Sequence, residues 1–180
     1  MTKAEYLTLR EKVKRAGYSR EIKWARSLAP CPNARIFAVE AIWVIINSGL
    51  KNQVAQEIEQ RVYKAIDRGD PISTGFGHKG KVKAIEYILS NRERIFADYL
   101  TAKDKLAYLE KLPWIGPITK YHLGKNLGLD VVKPDRHLVR IAGKEGKTAL
   151  ELCKEISELT GDRLAVVDTV LWRAANLGMI

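Results

Sequence analysis

The stretch from residue 109 to residue 142 is LEKLPWIGPITKYHLGKNLGLDVVKPDRHLVRIA, and its pattern predicts three helices separated by two breaks. Pro113 and Gly116 bound a tight turn, and Pro117 is expected at the first position of the next helix, where its missing N–H is harmless. Asp135 precedes a third amphipathic run and suits a helix N-cap. Two helices joined by such a turn aim amide N–H groups outward and favour a bound phosphate, although an ordinary helix–helix corner has the same pattern.

Helical periodicity continues on both sides of this segment. Residues 34–46 are apolar on nearly every face, which predicts a central buried helix. No segment alternates in the manner of a strand, and residues 131–132 form the only short β-like pair. Residues suited to capping precede other amphipathic runs: Thr2, Ser19, Thr101, Thr148 and Asp162. We therefore predict an all-α protein.

The composition indicates a folded, basic chain. Its 180 residues suit one domain or two small lobes, and 46% hydrophobic content supports a core. Lys and Arg number 31 against 21 Asp and Glu, a formal net charge of +10. This excess favours a polyanionic partner, most often nucleic acid, with a merely soluble basic protein as the alternative. Residues 1–30 are locally basic, with eight Lys or Arg and three Glu.

Cysteine usage and hydropathy exclude several classes of protein. Cys31 and Cys153 are the only cysteines, so a disulfide framework, a cysteine zinc site and a four-cysteine iron–sulfur cluster are unsupported. The charged start is not a signal peptide, and the longest apolar run, residues 41–46, is too short to span a membrane. We expect a cytoplasmic protein without a membrane partner. The three histidines, His78, His122 and His137, do not have the spacing of zinc ligands. No bound metal is therefore expected.

The sequence GFGHKG at residues 75–80 matches the glycine pattern of a dinucleotide-binding loop. That pattern requires a preceding strand, whereas here a helix and the loop PIST come first. The sequence therefore argues against a dinucleotide site. We expect a flexible basic loop near a helix start, where amides could hold a nucleic-acid phosphate and four side chains are exposed: Phe76, His78, Lys79 and Lys81.

Asp135 has two compatible interpretations. It is a helix N-cap by position, and Lys133, Arg136 and Arg140 surround it in sequence. The helix dipole and these cations both favour the ionised carboxylate. A fixed carboxylate beside a phosphate backbone suits cleavage of an N-glycosidic bond, because the deoxyribose becomes cationic as the base leaves.

Two linked motifs resemble those of a known family. LPWIGPITKYHL followed by VKPDRHLVRI resembles the helix-hairpin-helix/Gly-Pro-Asp signature of the endonuclease III-like DNA glycosylase superfamily. IWVIINSGLKNQVA resembles its first core helix with the strand-penetrating loop, TGFGHKGKVKAIEYI its Gly-rich turn, and VDTVLWRAANLG its last helix. The resemblance covers roughly residues 30–180 and is most specific between the hairpin and Asp135.

The resemblance implies two helical lobes with a DNA-binding groove between them. Residues 32–125 would form a six-helix barrel ending in the hairpin, and residues 1–31 and 126–180 a second lobe carrying the catalytic Asp. A target base would be flipped out of the duplex into the pocket between the lobes. By the residue match, Asp135 is catalytic, and Pro113, Gly116 and the following amides hold phosphate.

Further residues are candidates for contact with the flipped base or with the duplex. Trp43, Asn47 and Glu40 are candidates for a base pocket, with core packing as the alternative for Trp43 and a salt bridge favoured for Glu40. Leu50 and Asn47, or Phe76 and His78, are candidate wedges into the duplex. The expected DNA contacts are Pro113, Trp114, Gly116, Ile118, Lys120, Lys79, Lys81, Phe76, His78 and His137.

Three departures from the family pattern affect the expected activity. Trp114 stands where the hairpin usually has Gly, Ile118 stands where bifunctional members carry a nucleophilic Lys, and the four cluster cysteines are absent. Lys120 is two positions further on, about 200° around a helix, so a phosphate contact is favoured over a catalytic role. We therefore expect a monofunctional enzyme that binds double-stranded DNA as a monomer. No cofactor is expected, with a monovalent cation at the hairpin as the one alternative.

From these observations we predict a DNA glycosylase that removes a damaged, modified or mismatched base in base excision repair. One alternative is a non-catalytic helix-hairpin-helix DNA-binding protein, for which the charge and the hairpin would suffice. The other is an enzyme on this scaffold that acts on hypermodified phage thymine bases.

Overall fold

The computed structural model describes residues 1–180, and every regular element in it is helical. The segment Lys14–Tyr18, which is kinked at Gly17, joins the first two α-helices, and a 3-10 turn at Ile72–Thr74 follows the fourth. No strand is present, so the prediction of an all-α protein is confirmed. No helix has the length and apolar character needed to cross a membrane. The α-helices are α1 Lys3–Val13, α2 Ser19–Arg26, α3 Ala34–Asn47, α4 Asn52–Arg68, α5 Lys79–Thr101, α6 Lys105–Leu109, α7 Thr119–Asn126, α8 Arg136–Gly143, α9 Ala149–Thr160 and α10 Leu164–Asn176.

The chain divides into two compact units, each with its own hydrophobic core. The central unit is Cys31–Leu127, and the terminal unit combines Met1–Pro30 with Gly128–Ile180. The sequence analysis placed the corresponding boundaries at residues 32 and 125.

The central unit is built around α3. This helix is apolar on nearly all faces, so it must be surrounded, and it packs most extensively against α5. Phe37, Ile42, Ile45 and Ile46 are fully buried within it. The unit contains five α-helices and the 3-10 turn, one α-helix fewer than the six expected.

The terminal unit is organised by α10, which buries apolar side chains on most of its circumference. Val166, Val167, Val170 and Leu171 are fully buried, and α1, α2, α8 and α9 pack against this helix. These contacts bring the first 30 residues together with the last 53 residues in one core.

Some expected helix starts are confirmed, since short-range capping signals specify them. Thr2 and Thr148 each form a reciprocal capping box, and Asp135 caps α8. Residues 131–132 form no strand; Val132 is buried in the terminal core instead.

Other expected caps are wrong. Ser19 is the first residue of α2 after a kink at Gly17, Tyr18 takes the N-cap position, and the Ser19 hydroxyl donates to the carbonyl of Lys14. Thr101 is the last residue of α5, and Asp104 caps the next helix instead.

The helix starts expected at Asp162 and Pro117 lie one or two residues later in the structure, because these segments make other contacts. Asp162 is buried and binds side chains of α1 and α2, so Arg163 takes the N-cap position of α10. The helix expected to begin at Pro117 begins at Thr119, because Gly116 and Thr119 form a closed turn ahead of it.

Candidate nucleic-acid interface and candidate carboxylate

The segment where the sequence analysis expected the hairpin lies between α6 and α7 and turns at Leu112–Ile115. The amide of Ile115 donates to the carbonyl of Leu112 at 3.1 Å, with Pro113 second and Trp114 third in the turn. Trp114 has φ 67° and is the only non-glycine residue with positive φ. This pattern is typical of a type II turn, whose third position favours Gly, so a side chain there carries backbone strain. The turn therefore has a tryptophan at the position that favours glycine.

The indole of Trp114 is partly exposed and also contacts two other side chains. Its Nε1–H donates to Ser48 Oγ at 3.2 Å, and its ring meets that of His78 edge-on with centroids 5.0 Å apart. The side chain remains 43% exposed. One side of the indole thus contacts two neighbouring loops while the rest faces solvent.

The start of α7 has two amides without an acceptor. The Gly116 N–H, which we expected to face a phosphate, donates to Thr119 Oγ1 at 2.7 Å, so that expectation is wrong for this amide. The first backbone bond into α7 runs from Lys120 to Gly116 at 3.0 Å. Ile118 and Thr119 precede it, and their N–H groups bond no protein atom. These two amides, beside the exposed Ile118 side chain, are the donors that remain for an anion.

Lys120 is held by an acidic partner. Its Nζ lies 2.5 Å from Glu110 Oε2. This hydrogen bond raises the pKa of Lys120, because it stabilises the ammonium form. A protonated lysine is a poor nucleophile, which argues against the catalytic alternative for Lys120.

Gly75 of the GFGHKG loop allows close packing against α4. A Cβ built on Gly75 would lie 2.6 Å from the carbonyl oxygen of Arg61 in α4, so only Gly allows this approach. Phe76 is half-buried and packs against the central core, in contrast to the exposure we expected. His78 and Lys79 are exposed as expected.

Lys81 differs most from the sequence expectation. It is only 4% exposed, and its Nζ donates to the carbonyls of Ile46 at 2.9 Å and Ser48 at 2.6 Å. Burial lowers the pKa of this ammonium group. The expected exposure of Lys81 is therefore wrong: the side chain satisfies carbonyls at the end of α3. A sequence signal was available, since Lys81 shares the helical stripe of Ile85 and Ile88.

The candidate base-pocket residues lie on and around α3. Trp43 and Asn47 are half-buried, and Trp43 packs against the central core. Glu40 accepts a hydrogen bond from Asn126 Nδ2 at 2.9 Å and forms no ion pair, so the expected salt bridge is wrong. Burial raises the pKa of Glu40, and burial also raises the pKa of Tyr63 to about 12. The sequence analysis missed Tyr63, whose hydroxyl is buried without a partner.

Asp135 lies in the terminal unit at the start of α8. Its backbone is extended, and its Oδ1 accepts the amides of His137 at 2.9 Å and Leu138 at 3.2 Å. The carboxylate is half-buried, and Oδ2 takes no part in these two bonds. The cap fixes one oxygen against the helix end. His137 contributes its backbone N–H to this arrangement.

The first two helices carry the excess positive charge of the terminal unit. Residues 128–180 contain eight basic and eight acidic residues, whereas residues 1–30 contain eight basic and three acidic ones. All three acids are engaged: Glu5 in the capping box, Glu11 with Lys14, and Glu21 with Arg173. Five exposed cations have no ion pair: Lys3, Lys12, Arg15, Arg20 and Lys23.

A surface depression of the terminal unit does not include Asp135. It is lined by residues in or beside α1 and α8 and at the C-terminus, among them Met1, Leu9, Ile141, Glu145 and Ile180. No group of three or more His, Cys, Asp and Glu side chains is placed to hold a metal ion.

Comparison with protein-family models, with curated proteins and with solved structures finds no match for the chain.

Proposed function

We propose that the protein is a monofunctional DNA glycosylase that removes a damaged, modified or mismatched base during base excision repair. The observation that carries this proposal is the carboxylate of Asp135, which two amides at the N-terminus of α8 hold by one oxygen. The sequence order of hairpin and Asp, and the resemblance it supports, connect this carboxylate with DNA.

Several features support DNA as the partner. The unpaired amides of Ile118 and Thr119 suit a backbone phosphate, because a helix N-terminus favours an anion. Lys79 is exposed at the start of α5, where an ammonium group adds attraction for phosphate. The unpaired cations of residues 1–30 favour the same polyanion.

The chemistry assigned to Asp135 is electrostatic. Hydrolysis breaks the bond between the sugar C1′ and the base nitrogen, the base leaves with a proton, and water oxygen becomes bonded to C1′. Positive charge develops on the sugar before the water bond is complete. An ionised carboxylate fixed by its helix cap stabilises this charge or aligns the water, without reorganising during the reaction.

The residues at the hairpin support base release without strand cleavage. Ile118 stands at the position where bifunctional relatives would need a nucleophilic amine. Lys120 is paired with Glu110, which keeps its amine protonated. Formation of a Schiff base requires a neutral amine, so efficient strand cleavage is not expected.

A non-catalytic DNA-binding protein is the second candidate. Its support is that the two capping bonds of Asp135 give this residue a structural reason to be present. In that case the carboxylate would stabilise α8 and have no reacting partner.

The deciding experiment measures base release by the full chain from a panel of duplexes, compared with Asp135→Asn. The panel contains uracil, 8-oxoguanine, 3-methyladenine, hypoxanthine and a mismatched thymine, and hot alkali reveals abasic sites. Asn caps helices as well as Asp does, so folding should be retained. We expect release from at least one duplex, a loss of about 100-fold or more in Asp135→Asn, and DNA binding that is unchanged or tighter.

The results separate the two candidates. DNA binding without release from any duplex, in the wild-type chain, would favour the non-catalytic protein. Unchanged release in Asp135→Asn would contradict the role of the carboxylate. A lower Tm together with lost binding would show that Asp135 acts through the helix cap.

A further inference from the structure

Three loops of the central unit meet at the indole of Trp114. The indole N–H bonds Ser48 in the α3–α4 loop, and the ring edge contacts His78 in the loop before α5. Trp114 itself belongs to the hairpin turn. We call Ser48, His78, Gly80 and Trp114 the Trp114 cluster. Each loop contributes at least one residue to it.

Gly80 provides the space that the indole occupies. A Cβ built on Gly80 would lie 2.7 Å from Cζ3 and 3.2 Å from Cη2 of Trp114. Gly in the first turn of a helix costs stability relative to Ala, so its presence in α5 requires a reason. The fit against the indole supplies one. Gly80 and Trp114 are therefore complementary in size.

The α3–α4 loop and the loop before α5 are each held by hydrogen bonds that do not involve Trp114. The indole therefore connects two loops that have contacts of their own. Lys81 donates to the carbonyls of Ile46 and Ser48, which holds the end of α3. The hydroxyl of Ser48 also donates to the carbonyl of Ile45 at 2.8 Å, which orients its oxygen toward an incoming donor. His78 Nδ1 accepts the Lys81 amide at 3.3 Å as the cap of α5.

We propose that Trp114 is a positioning residue that holds the hairpin in one arrangement against the α3–α4 loop and the start of α5. The strained backbone at φ 67° is retained because the indole contacts offset its cost. The role acts through the amides of Ile118 and Thr119, which follow the turn directly. Its effect on DNA rests on the proposed function, whereas the linkage of the three loops does not.

The first test is a double-mutant cycle between Gly80→Ala and Trp114→Gly. In the wild-type background, Gly80→Ala displaces the indole and should accelerate amide hydrogen exchange about tenfold in residues 48–51, 77–80 and 113–119. In the Trp114→Gly background, the same substitution should slow exchange at the start of α5, because Ala favours the helix once the indole is gone. An effect of Gly80→Ala with the same sign and size in both backgrounds would overturn the proposal.

The second test is Ser48→Ala, which removes the acceptor of the indole N–H and leaves the exposed face of Trp114 unchanged. Ser90→Ala, an exposed serine of α5 without a side-chain bond, is the matched control. We expect faster exchange in the hairpin and about tenfold weaker binding to a duplex in Ser48→Ala, with no change in Ser90→Ala. Trp114→Phe keeps a ring but loses the donor, so it should resemble Ser48→Ala.

These measurements distinguish the alternatives. If Trp114→Gly weakens DNA binding while Ser48→Ala and Gly80→Ala do not, and loop exchange is unchanged, Trp114 contacts DNA directly and the positioning role is wrong. If the wild-type chain binds no duplex, the proposed function fails, and the exchange cycle still decides whether the indole links the loops.

Discussion

Individual buried charges in this protein are held by specific partners. The ammonium group of Lys81 donates hydrogen bonds to two carbonyls at the end of α3. The carboxylate of Asp162 accepts hydrogen bonds from Tyr6, Arg10 and Arg26. A buried charge without partners is costly, so removing one partner leaves the other uncompensated. Both residues were expected in surface or capping roles, and both instead connect separate segments of a core.

Asp162→Asn should destabilise the protein by about 2 kcal/mol, below the range for fully buried pairs because Arg26 is 55% exposed at its side chain. The amide keeps the shape of the side chain but removes the charge that neutralises two guanidinium groups. Chemical denaturation at pH 7 measures the change. Glu158→Gln, an exposed carboxylate of the same unit without an ion pair, is the control and should leave stability unaltered.

The same residue predicts a pH dependence. Burial alone would raise the pKa of Asp162, but the hydrogen bonds from Arg10, Tyr6 and Arg26 outweigh it and lower the pKa. A lowered pKa in the folded state contributes stability above the unfolded value, about 3.9, and the contribution is lost as the pH falls through the folded value. The stability difference between wild type and Asp162→Asn should thus be constant from pH 5 to 7 and shrink below about pH 4. A difference that grows on acidification would contradict this assignment.

Lys81→Met should destabilise the protein by about 2 kcal/mol, because two carbonyls lose their donor in a buried position. The variant should leave the salt dependence of DNA binding unaltered. Lys79→Met is the matched control: it should have little effect on stability and should reduce the log–log salt slope by about one. Equal slope changes in the two variants would restore Lys81 as a phosphate contact.

At the scale of elements, α2 separates an inner and an outer face clearly. Ile22 and Ala25 are buried, and Glu21 pairs with Arg173, whereas Arg20, Lys23 and Trp24 are exposed. Positions 20, 23 and 24 lie on one side of a helix. A cationic face with an exposed indole suits contact with a nucleic-acid backbone.

Replacing Arg20 and Lys23 together with Gln should weaken duplex binding uniformly across sequences and lower the salt slope by about two. The control replaces Lys144 and Lys154 with Gln, which changes the charge of the same unit equally in a region where acids balance bases. We expect no slope change in the control. Equal losses in both variants would indicate that net charge alone, and not the face of α2, determines the binding.

At the scale of the whole molecule, both units carry excess positive charge and the proposed partner is one polyanion. If about five phosphate contacts are made, the logarithm of the affinity should fall with the logarithm of salt concentration at a slope of about −4 to −5. Fluorescence anisotropy of a labelled duplex at several salt concentrations provides the measurement. A slope near zero would remove nucleic acid as the partner.

Under the proposed function, the full chain should also release a base without forming a strong covalent adduct. Borohydride trapping on a substrate duplex, beside Lys120→Ala, tests this expectation. The pairing of Lys120 with Glu110 raises the pKa of the amine, so trapping should be weak at pH 7 and should not depend on Lys120. A strong adduct that disappears in Lys120→Ala would show that this lysine is the nucleophile.

The sequence alone determined the all-α class and several helix starts of this protein. Thr2, Thr148 and Asp135 cap the helices predicted for them, and α3 is the buried helix that its apolar pattern indicates. Capping and periodicity act within a few residues, so they are present in the local sequence.

Only the tertiary structure decided which side chains meet. Lys81 is buried because α3 ends beside the first turn of α5. Asp162 does not cap α10 as expected, because Arg10 and Arg26, more than 130 residues away in sequence, bind its carboxylate. Trp114 tolerates a glycine conformation because Ser48 and Gly80, distant in sequence, receive its indole. Such partners depend on packing between elements, and no pattern within one segment specifies them.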